Sequence, residues 1–125
     1  MDRIERLFVY GTLQPGRLRW PFLERFAVGH RPAEVRGAIY DTGYGWPVAV
    51  FGPSAGSVPG TLVDLDGEHL GEALRVLDDV EATATDLLRR VVVTATAGER
   101  AWTYHCDHPI DGMVRISRWD NDDER

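Results

Sequence analysis

A single amphipathic helix among many short β-prone segments is the feature that most constrains the fold of this 125-residue chain. Leu70, Leu74, Leu77 and Val80 recur at helical spacing after Asp66, a candidate N-cap, so a helix is predicted over residues 67–80. The other segments are short and end at glycine, proline or serine. They predict strands at residues 6–10, 33–41, 48–51, 58–65, 88–97, 100–106 and 113–116. This combination predicts a small, barrel-like α+β fold.

A shorter helix is predicted over residues 20–27, because a proline stands near its start and apolar residues repeat four apart. The residues expected to pack inward from it are Phe22, Leu23, Phe26 and Ala27. Near the C-terminal end, Gly98 and Glu99 fit a two-residue hairpin loop, since glycine at its first position accepts a positive φ. Both features are compatible with the α+β fold.

Length, charge and cysteine content narrow the class of protein. Without a linker or repeat, the chain is predicted to form one domain over residues 1–118, and residues 119–125 an acidic disordered tail. There are 14 basic and 20 acidic residues, and the net charge of −6 argues against a nucleic-acid partner or an anionic membrane surface. Cys106 is the one cysteine, so no intrachain disulfide can form. With a charged N-terminus that lacks an apolar signal core, this indicates a cytoplasmic protein, although an exported protein without disulfides has a similar composition.

The first candidate site follows the first strand. Residues 7–9 form a continuous apolar run, typical of a strand covered on both faces, and Gly11 and Thr12 then open a loop. From the pattern alone, an ordinary turn is the better interpretation. The functional interpretation is that Gly11 lets backbone amides point at a bound anion such as a carboxylate. The loop lacks a Walker lysine and the G-x-G-x-x-G spacing, so no nucleotide site is predicted.

The second candidate site is the acidic group of Asp78, Asp79 and Glu81 at the end of the predicted helix. The helix dipole disfavours each anion there by about 0.3–1 kcal/mol. Carboxylates that lie close together also repel one another, which raises the pKa of at least one of them. Such a carboxyl suits general acid/base catalysis near neutral pH. From the spacing alone, a solvated helix end with its charges in water is the better interpretation.

His105, Cys106 and His108 form a compact group of potential metal ligands. On a strand, His105 and Cys106 point to opposite faces, and the sequence holds no second Cys/His cluster to complete four ligands. We therefore predict no metal site. A Cys–His hydrolase is not predicted either, because Cys106 shares its strand face with Trp102 and Tyr104 and is expected to be buried and inert.

Several motifs occur in one order along the chain, and together they resemble the γ-glutamylcyclotransferase-like family. They extend from Leu7 to Tyr104, which is most of the chain, and the ordered set is more specific than any one of them. The motifs are Tyr10-Gly11-Thr12-Leu13, Pro15-Gly16, Gly37-Ala38-Ile39-Tyr40-Asp41, Pro47 before an apolar strand, Val58-x-Gly60-x-Leu62, Leu77-Asp78-x-x-Glu81 and an Arg-Val-Val-Val strand.

The resemblance implies a small, mostly antiparallel β-barrel with flanking helices. It also implies a cavity that joins a catalytic glutamate to substrate-binding residues, which here are Glu81 with Tyr10, Gly11, Thr12, Leu13 and Tyr104. Active members act on a γ-glutamyl amine or amino acid, whose α-amine attacks its own γ-carbonyl and releases 5-oxoproline and the free amine. A single carboxylate can serve as base and then as acid in such a reaction, and no cofactor or metal is implied.

Two positions depart from the family pattern. Ala82 stands where glycine is usual, and Leu88 stands where a tyrosine often precedes the arginine strand. Alanine is small, so the cavity is expected to persist unless the backbone there needs a positive φ. At Leu88, a hydrogen bond to substrate is expected to be lost. The alternative function is therefore a non-catalytic module that binds a small metabolite in the same cavity.

Overall fold

The computed structural model describes residues 3–53, 56–84 and 87–119, and in these ranges seven strands form one sheet with two α-helices beside it. In chain order the elements are β1 (Arg6–Val9), α1 (Trp20–Glu24), β2 (Ala27–Asp41), β3 (Pro47–Phe51), β4 (Ser57–Leu65), a 3-10 turn (Gly67–His69), α2 (Leu70–Ala84), β5 (Leu88–Thr94), β6 (Arg100–Cys106) and β7 (Val114–Ile116). The predicted α+β fold, a small and mostly antiparallel barrel-like sheet with flanking helices, is confirmed.

The strands lie in the order β3-β2-β4-β1-β6-β5, and β7 pairs with β2. The described pairs are antiparallel except β1 with β6, where Leu7 lies opposite Trp102. The 15-residue β2 is long enough to pair with β4 along its first part and with β3 along its second. The Phe51 N–H then donates a 3.1 Å hydrogen bond to His105 Nδ1, which links β3 to β6. The sheet is therefore nearly closed.

β1 lies at the centre of the core because both of its faces are covered. Leu7 and Val9 belong to an apolar cluster that includes the buried face of α2. Phe8 and Tyr10 belong to a second cluster on the opposite face of the sheet. The continuous apolar run of residues 7–9 therefore marks a strand buried on both faces, as predicted.

The predicted helix opens with the 3-10 turn Gly67–His69, so α2 begins at Leu70 and also ends later than predicted. The Asp66 carboxylate accepts a 3.0 Å hydrogen bond from the Glu68 N–H and so caps the turn that leads into the helix. Leu70, Leu74 and Leu77 are buried, as their spacing predicts. The helix continues past the predicted end at residue 80 as far as Ala84, so Glu81 lies in its last turn.

The first helix is shorter than predicted. α1 ends at Glu24, because Ala27 already begins β2, which was predicted to start at residue 33. Leu23 and Phe26 are buried as expected, but Phe22 is 50% exposed and does not pack inward.

Two predictions near the C-terminal end also need correction. The Ala95 N–H donates to the Glu99 C=O at 2.7 Å, so the β5–β6 loop holds residues 96–98 rather than two residues. Gly98 closes it with φ 106, which suits a three-residue hairpin loop. Trp119, which the sequence placed in the tail, is 1% exposed and packs in the second cluster. Residues 120–125 lie outside the described residues.

Candidate active site

The loop after β1 forms one wall of a cavity. A Cβ atom at Gly11 would lie 2.7 Å from Pro47 Cγ, so glycine is what allows Pro47 to pack there. Thr12 and Leu13 are buried. Within the described residues, the amide N–H groups of Gly11, Thr12 and Leu13 donate to no acceptor. Three successive unpaired amides beside a cavity suit a carboxylate ligand.

Glu81 forms part of the opposite wall. Its side chain is partly buried, and in the described ranges its carboxylate takes part in no hydrogen bond or ion pair. Burial raises the pKa of Glu81 to about 7, and the positive charge of Arg19 counteracts this in part. A carboxyl that titrates near neutral pH can both accept and return a proton.

Tyr104 on β6 is held between Asp78 and Tyr10. Its hydroxyl donates a 2.8 Å hydrogen bond to Asp78 Oδ1, and its backbone C=O accepts a 2.7 Å bond from the Tyr10 hydroxyl. Burial, and then the hydrogen bond to Asp78, raise the pKa of Tyr104, while burial and the charge of Glu81 raise that of Tyr10. Both phenols therefore stay protonated at physiological pH.

Arg90 completes this group from β5. Its Nε lies 3.0 Å from Asp78 Oδ1, and its guanidinium stacks on the Trp102 ring with the carbon 4.7 Å from the ring centroid. Asp78 thus faces a cation and a phenol at once, which fixes the rotamer of Tyr104.

All six predicted site residues line one cavity. The lining residues are Phe8, Val9, Tyr10, Gly11, Thr12, Leu13, Arg19, Trp46, Pro47, Glu81, Leu88 and Tyr104. The cavity is narrow, with about 30 Å³ open to the centre of a water-sized sphere. Its polar groups are few and converge, as is typical of small-molecule sites.

The sequence did not single out Arg19 and Trp46. The Arg19 N–H donates a 2.7 Å hydrogen bond to the Thr12 C=O, which brings the start of α1 back to the cavity. Trp46 reaches the cavity beside Pro47. A basic residue shortly after a glycine loop was the one sequence signal available for Arg19.

The two departures from the family pattern have different settings. Position 82 lies within α2, so its backbone is helical and glycine is not required for a positive φ. Leu88 begins β5 and lines the cavity, where it presents an apolar surface.

Other groups of potential ligands have separate roles. His105 Nδ1 accepts the Phe51 N–H, and the buried Cys106 Sγ lies 3.6 Å from the His108 C=O. Among the described residues, Asp66, Glu68 and His69 form a three-residue group of potential ligands, away from the cavity. Separately, no helix in the described ranges has the length and apolar character needed to cross a bilayer.

Comparison with known proteins gives a family and a fold. A family model described as gamma-glutamyl cyclotransferase, AIG2-like (GGACT) matches residues 7–121. No curated protein matches the chain.

Among solved structures, YkqA from Bacillus subtilis superposes with a TM-score of 0.70 at 21% identity, over 94% of this chain and 40% of YkqA. PH0828 from Pyrococcus horikoshii superposes with a TM-score of 0.67 at 23% identity, over 92% of this chain and 86% of PH0828. An AIG2-like protein from Mus musculus superposes with a TM-score of 0.67 at 18% identity, over 95% of this chain and 90% of the mouse protein. The chain thus spans less than half of YkqA but most of the other two proteins.

These structural similarities show the fold, and the family model extends over both cavity walls. The chain belongs to the AIG2-like gamma-glutamyl cyclotransferase family.

Proposed function

We propose that the protein is a γ-glutamylcyclotransferase that converts a γ-glutamyl amine or amino acid into 5-oxoproline and the free amine. The observation that carries this proposal is the setting of Glu81. It is a partly buried carboxyl without a hydrogen-bond partner in the described structure, and it shares a narrow cavity with the unpaired amides of Gly11, Thr12 and Leu13. A buried acid left without a partner costs stability, which is typical of catalytic groups.

Substrate binding is assigned to the loop after β1. The amides of Gly11, Thr12 and Leu13 hold the α-carboxylate of the γ-glutamyl group. With this end fixed, the chain of the substrate folds back so that the α-nitrogen approaches the γ-carbonyl carbon. Closing a five-membered ring within one held molecule supplies much of the rate, because the two reacting groups need not find each other.

Glu81 carries the proton in both halves of the reaction. As a carboxylate it removes a proton from the α-amine, whose nitrogen forms a bond to the γ-carbonyl carbon. The tetrahedral intermediate then collapses, the bond from that carbon to the leaving nitrogen breaks, and the Glu81 carboxyl returns the proton to that nitrogen. Substrate atoms alone make up the two products, so no water, metal or cofactor enters the balance.

Tyr104 is assigned a role as a hydrogen-bond acceptor. Its one hydroxyl proton is engaged with Asp78, so the oxygen offers lone pairs to the cavity. An N–H of the α-amine is the matching donor in the substrate. Such a bond orients the nitrogen lone pair toward the γ-carbonyl.

The test is turnover with a panel of γ-glutamyl amines and γ-glutamyl amino acids, with 5-oxoproline measured by chromatography. We expect 5-oxoproline and free amine in equal amounts. Glu81→Gln should lower kcat by about 10²–10⁴-fold, the usual contribution of a general acid/base. Unchanged turnover in Glu81→Gln would remove Glu81 from the mechanism.

The second candidate function is a non-catalytic module that binds a small carboxylated metabolite. The observation that favours it is Leu88, an apolar residue lining the cavity where the family often has a tyrosine. Thermal-shift measurements with amino-acid and γ-glutamyl ligands distinguish the two functions. Stabilisation without 5-oxoproline formation supports binding alone, whereas stabilisation with turnover supports the enzyme.

A further inference from the structure

A second depression lies between α1 and α2, beside the cavity, and is called here the α1–α2 groove. It measures about 620 Å³ and is lined by Arg19, Pro21, Phe22, Arg25, Val76, Asp79 and Val80. Phe22 is half exposed in it. An aromatic ring beside two valines gives the groove an apolar floor with charged residues around it.

The groove and the cavity share a lining residue. Arg19 lines both of them, and Val80 of the groove directly precedes Glu81 of the cavity on α2. In the described part of the chain, the Arg19 guanidinium forms no ion pair or hydrogen bond, while its backbone N–H is fixed to the Thr12 C=O. A cation therefore stands at the junction with its donors available to a ligand.

The direction in which a substrate extends follows from the chemistry, and this step rests on the proposed function. Glu81 returns a proton to the leaving nitrogen, so the amine portion must lie beside Glu81. The cavity is narrow, with about 30 Å³ open to the centres of water-sized spheres, so we expect the amine portion to extend beyond it. Arg19 lines both the cavity and the α1–α2 groove, so an amine portion that extends past Arg19 enters the groove.

We propose that the α1–α2 groove is the subsite for the amine portion of the substrate, and that it selects γ-glutamyl amino acids with an apolar side chain. The side chain lies on Phe22 and Val80, and the free carboxylate of the amine portion pairs with Arg19. Two arginines against one aspartate give the groove a net positive charge that complements this carboxylate. An amine without a carboxylate loses the pairing, and glycine as the amine portion loses the apolar contact.

The experiment compares three compounds that differ only in the amine portion. γ-Glutamyl-phenylalanine has the ring and the carboxylate, γ-glutamyl-phenethylamine has the ring alone, and γ-glutamyl-glycine has the carboxylate alone. Their dissociation constants are measured by calorimetry on Glu81→Gln protein, and their kcat/KM values on the wild type. Binding is thereby assessed independently of turnover.

We expect γ-glutamyl-phenylalanine to bind about tenfold or more tightly than γ-glutamyl-phenethylamine, since a charge-assisted bond is worth at least that factor. We expect a preference of about tenfold over γ-glutamyl-glycine as well, because burial of the phenylalanine ring removes apolar surface from water. Arg19→Gln should abolish the preference over γ-glutamyl-phenethylamine, and Phe22→Ala should weaken the preference over γ-glutamyl-glycine. Ratios between compounds cancel any effect of Arg19 on Glu81 itself. Val114→Ala, which truncates an exposed apolar side chain on β7, is the control and should leave both ratios unchanged.

The outcomes separate the subsite from the reaction. Equal binding of the three compounds overturns the subsite, and so does an Arg19→Gln variant that weakens all three equally, because Arg19 would then hold the γ-glutamyl end. The expected binding ratios without 5-oxoproline from the wild type overturn the cyclisation and leave the subsite standing. Formation of 5-oxoproline with equal binding of the three compounds overturns the subsite and leaves the cyclisation standing.

Discussion

The Tyr104 hydroxyl donates its proton to Asp78, which lies one helical turn before Glu81 on α2. The bond is 2.8 Å long, and Arg90 Nε lies 3.0 Å from the same carboxylate oxygen. This direction of donation decides what Tyr104 can do, because a phenol whose proton is engaged offers the cavity an acceptor only. Asp78 is thus a positioning residue for Tyr104.

Replacement of Asp78 by leucine should release the Tyr104 hydroxyl and misorient the α-amine of the substrate. We expect kcat to fall about tenfold with a smaller change in KM, because the lost interaction orients the reacting nitrogen rather than anchoring the carboxylate. Steady-state kinetics measure this split. Glu72→Gln, which alters an exposed carboxylate on the same helix, is the control and should retain wild-type values. If Tyr104→Phe has full activity, Tyr104 does not orient the amine.

The pH dependence of activity should report Glu81. As the proposed base of the first step it must be deprotonated, and its pKa is raised to about 7 by burial. We expect kcat/KM to rise with pH through an apparent pKa near that value. Arg19→Gln should move this limb to higher pH, because Arg19 is the charge that counteracts the effect of burial. A limb that stays in place in Arg19→Gln would mean that another group controls it.

Glu81→Gln should stabilise the fold at pH 8 while removing activity. The folded protein binds the Glu81 proton more tightly than the unfolded chain does, so between the ordinary pKa of 4.5 and about 7 stability falls as pH rises. Above pH 7 the ionised Glu81 lowers the free energy of unfolding by its full amount, on the order of 1–3 kcal/mol. Urea unfolding at pH 8 and pH 5 measures it, and the advantage of the variant should shrink at pH 5. If the free energy of unfolding of Glu81→Gln exceeds that of the wild type by the same amount at both pH values, the Glu81 carboxylate is well solvated.

Gly11→Ala should damage the cavity through Pro47. The new Cβ would lie 2.7 Å from Pro47 Cγ and 2.8 Å from Cδ, and a proline ring cannot swing aside. We expect a loss of roughly 1–3 kcal/mol in the free energy of unfolding, typical of overpacking. Gly71→Ala is the matched control, because nothing lies within 4 Å of its added Cβ on α2. A helical alanine there should stabilise by about 0.5–1 kcal/mol. Similar effects of the two changes would contradict the role given to Pro47.

The elements that position the site were predictable because their signals are local. The apolar run of β1, the glycine loop and the leucine spacing of α2 each follow from a few neighbouring residues. The first part of β2 was missed because Gly29 and Pro32 disfavour a strand. It forms there because residues 27–36 pair antiparallel with β4, and Arg31 adds ion pairs to Asp64 at 3.0 Å and to Glu99 at 2.9 Å.

The parts of the site that were not predicted depend on contacts between distant segments. Arg19 reaches the cavity through a backbone bond to Thr12, and spacing along the chain does not reveal which side of the loop it occupies. The acceptor character of Tyr104 depends on Asp78, which is 26 residues away in sequence. Family resemblance pointed to both Tyr104 and Glu81, but the direction of the hydrogen bond follows only from the folded structure.

The bond between the Phe51 N–H and His105 Nδ1 should make the closure of the sheet sensitive to acid. Burial, with help from the charge of Arg89 and against that of Asp107, lowers the pKa of His105 below 6.5. As pH falls through 6.5 the unfolded chain takes up the proton first, so the folded state loses stability. His105→Asn keeps an acceptor for the amide without titrating.

We therefore expect the Tm of His105→Asn, relative to that of the wild type, to increase as pH falls from 7.5 to 5.5. Comparing the two proteins at each pH cancels the opposite contribution of Glu81, which is common to both. Thermal unfolding followed by circular dichroism measures the difference, and His30→Asn, at an exposed position on β2, serves as the control. A difference in Tm that stays constant with pH would mean that protonation of His105 does not open the β3–β6 junction.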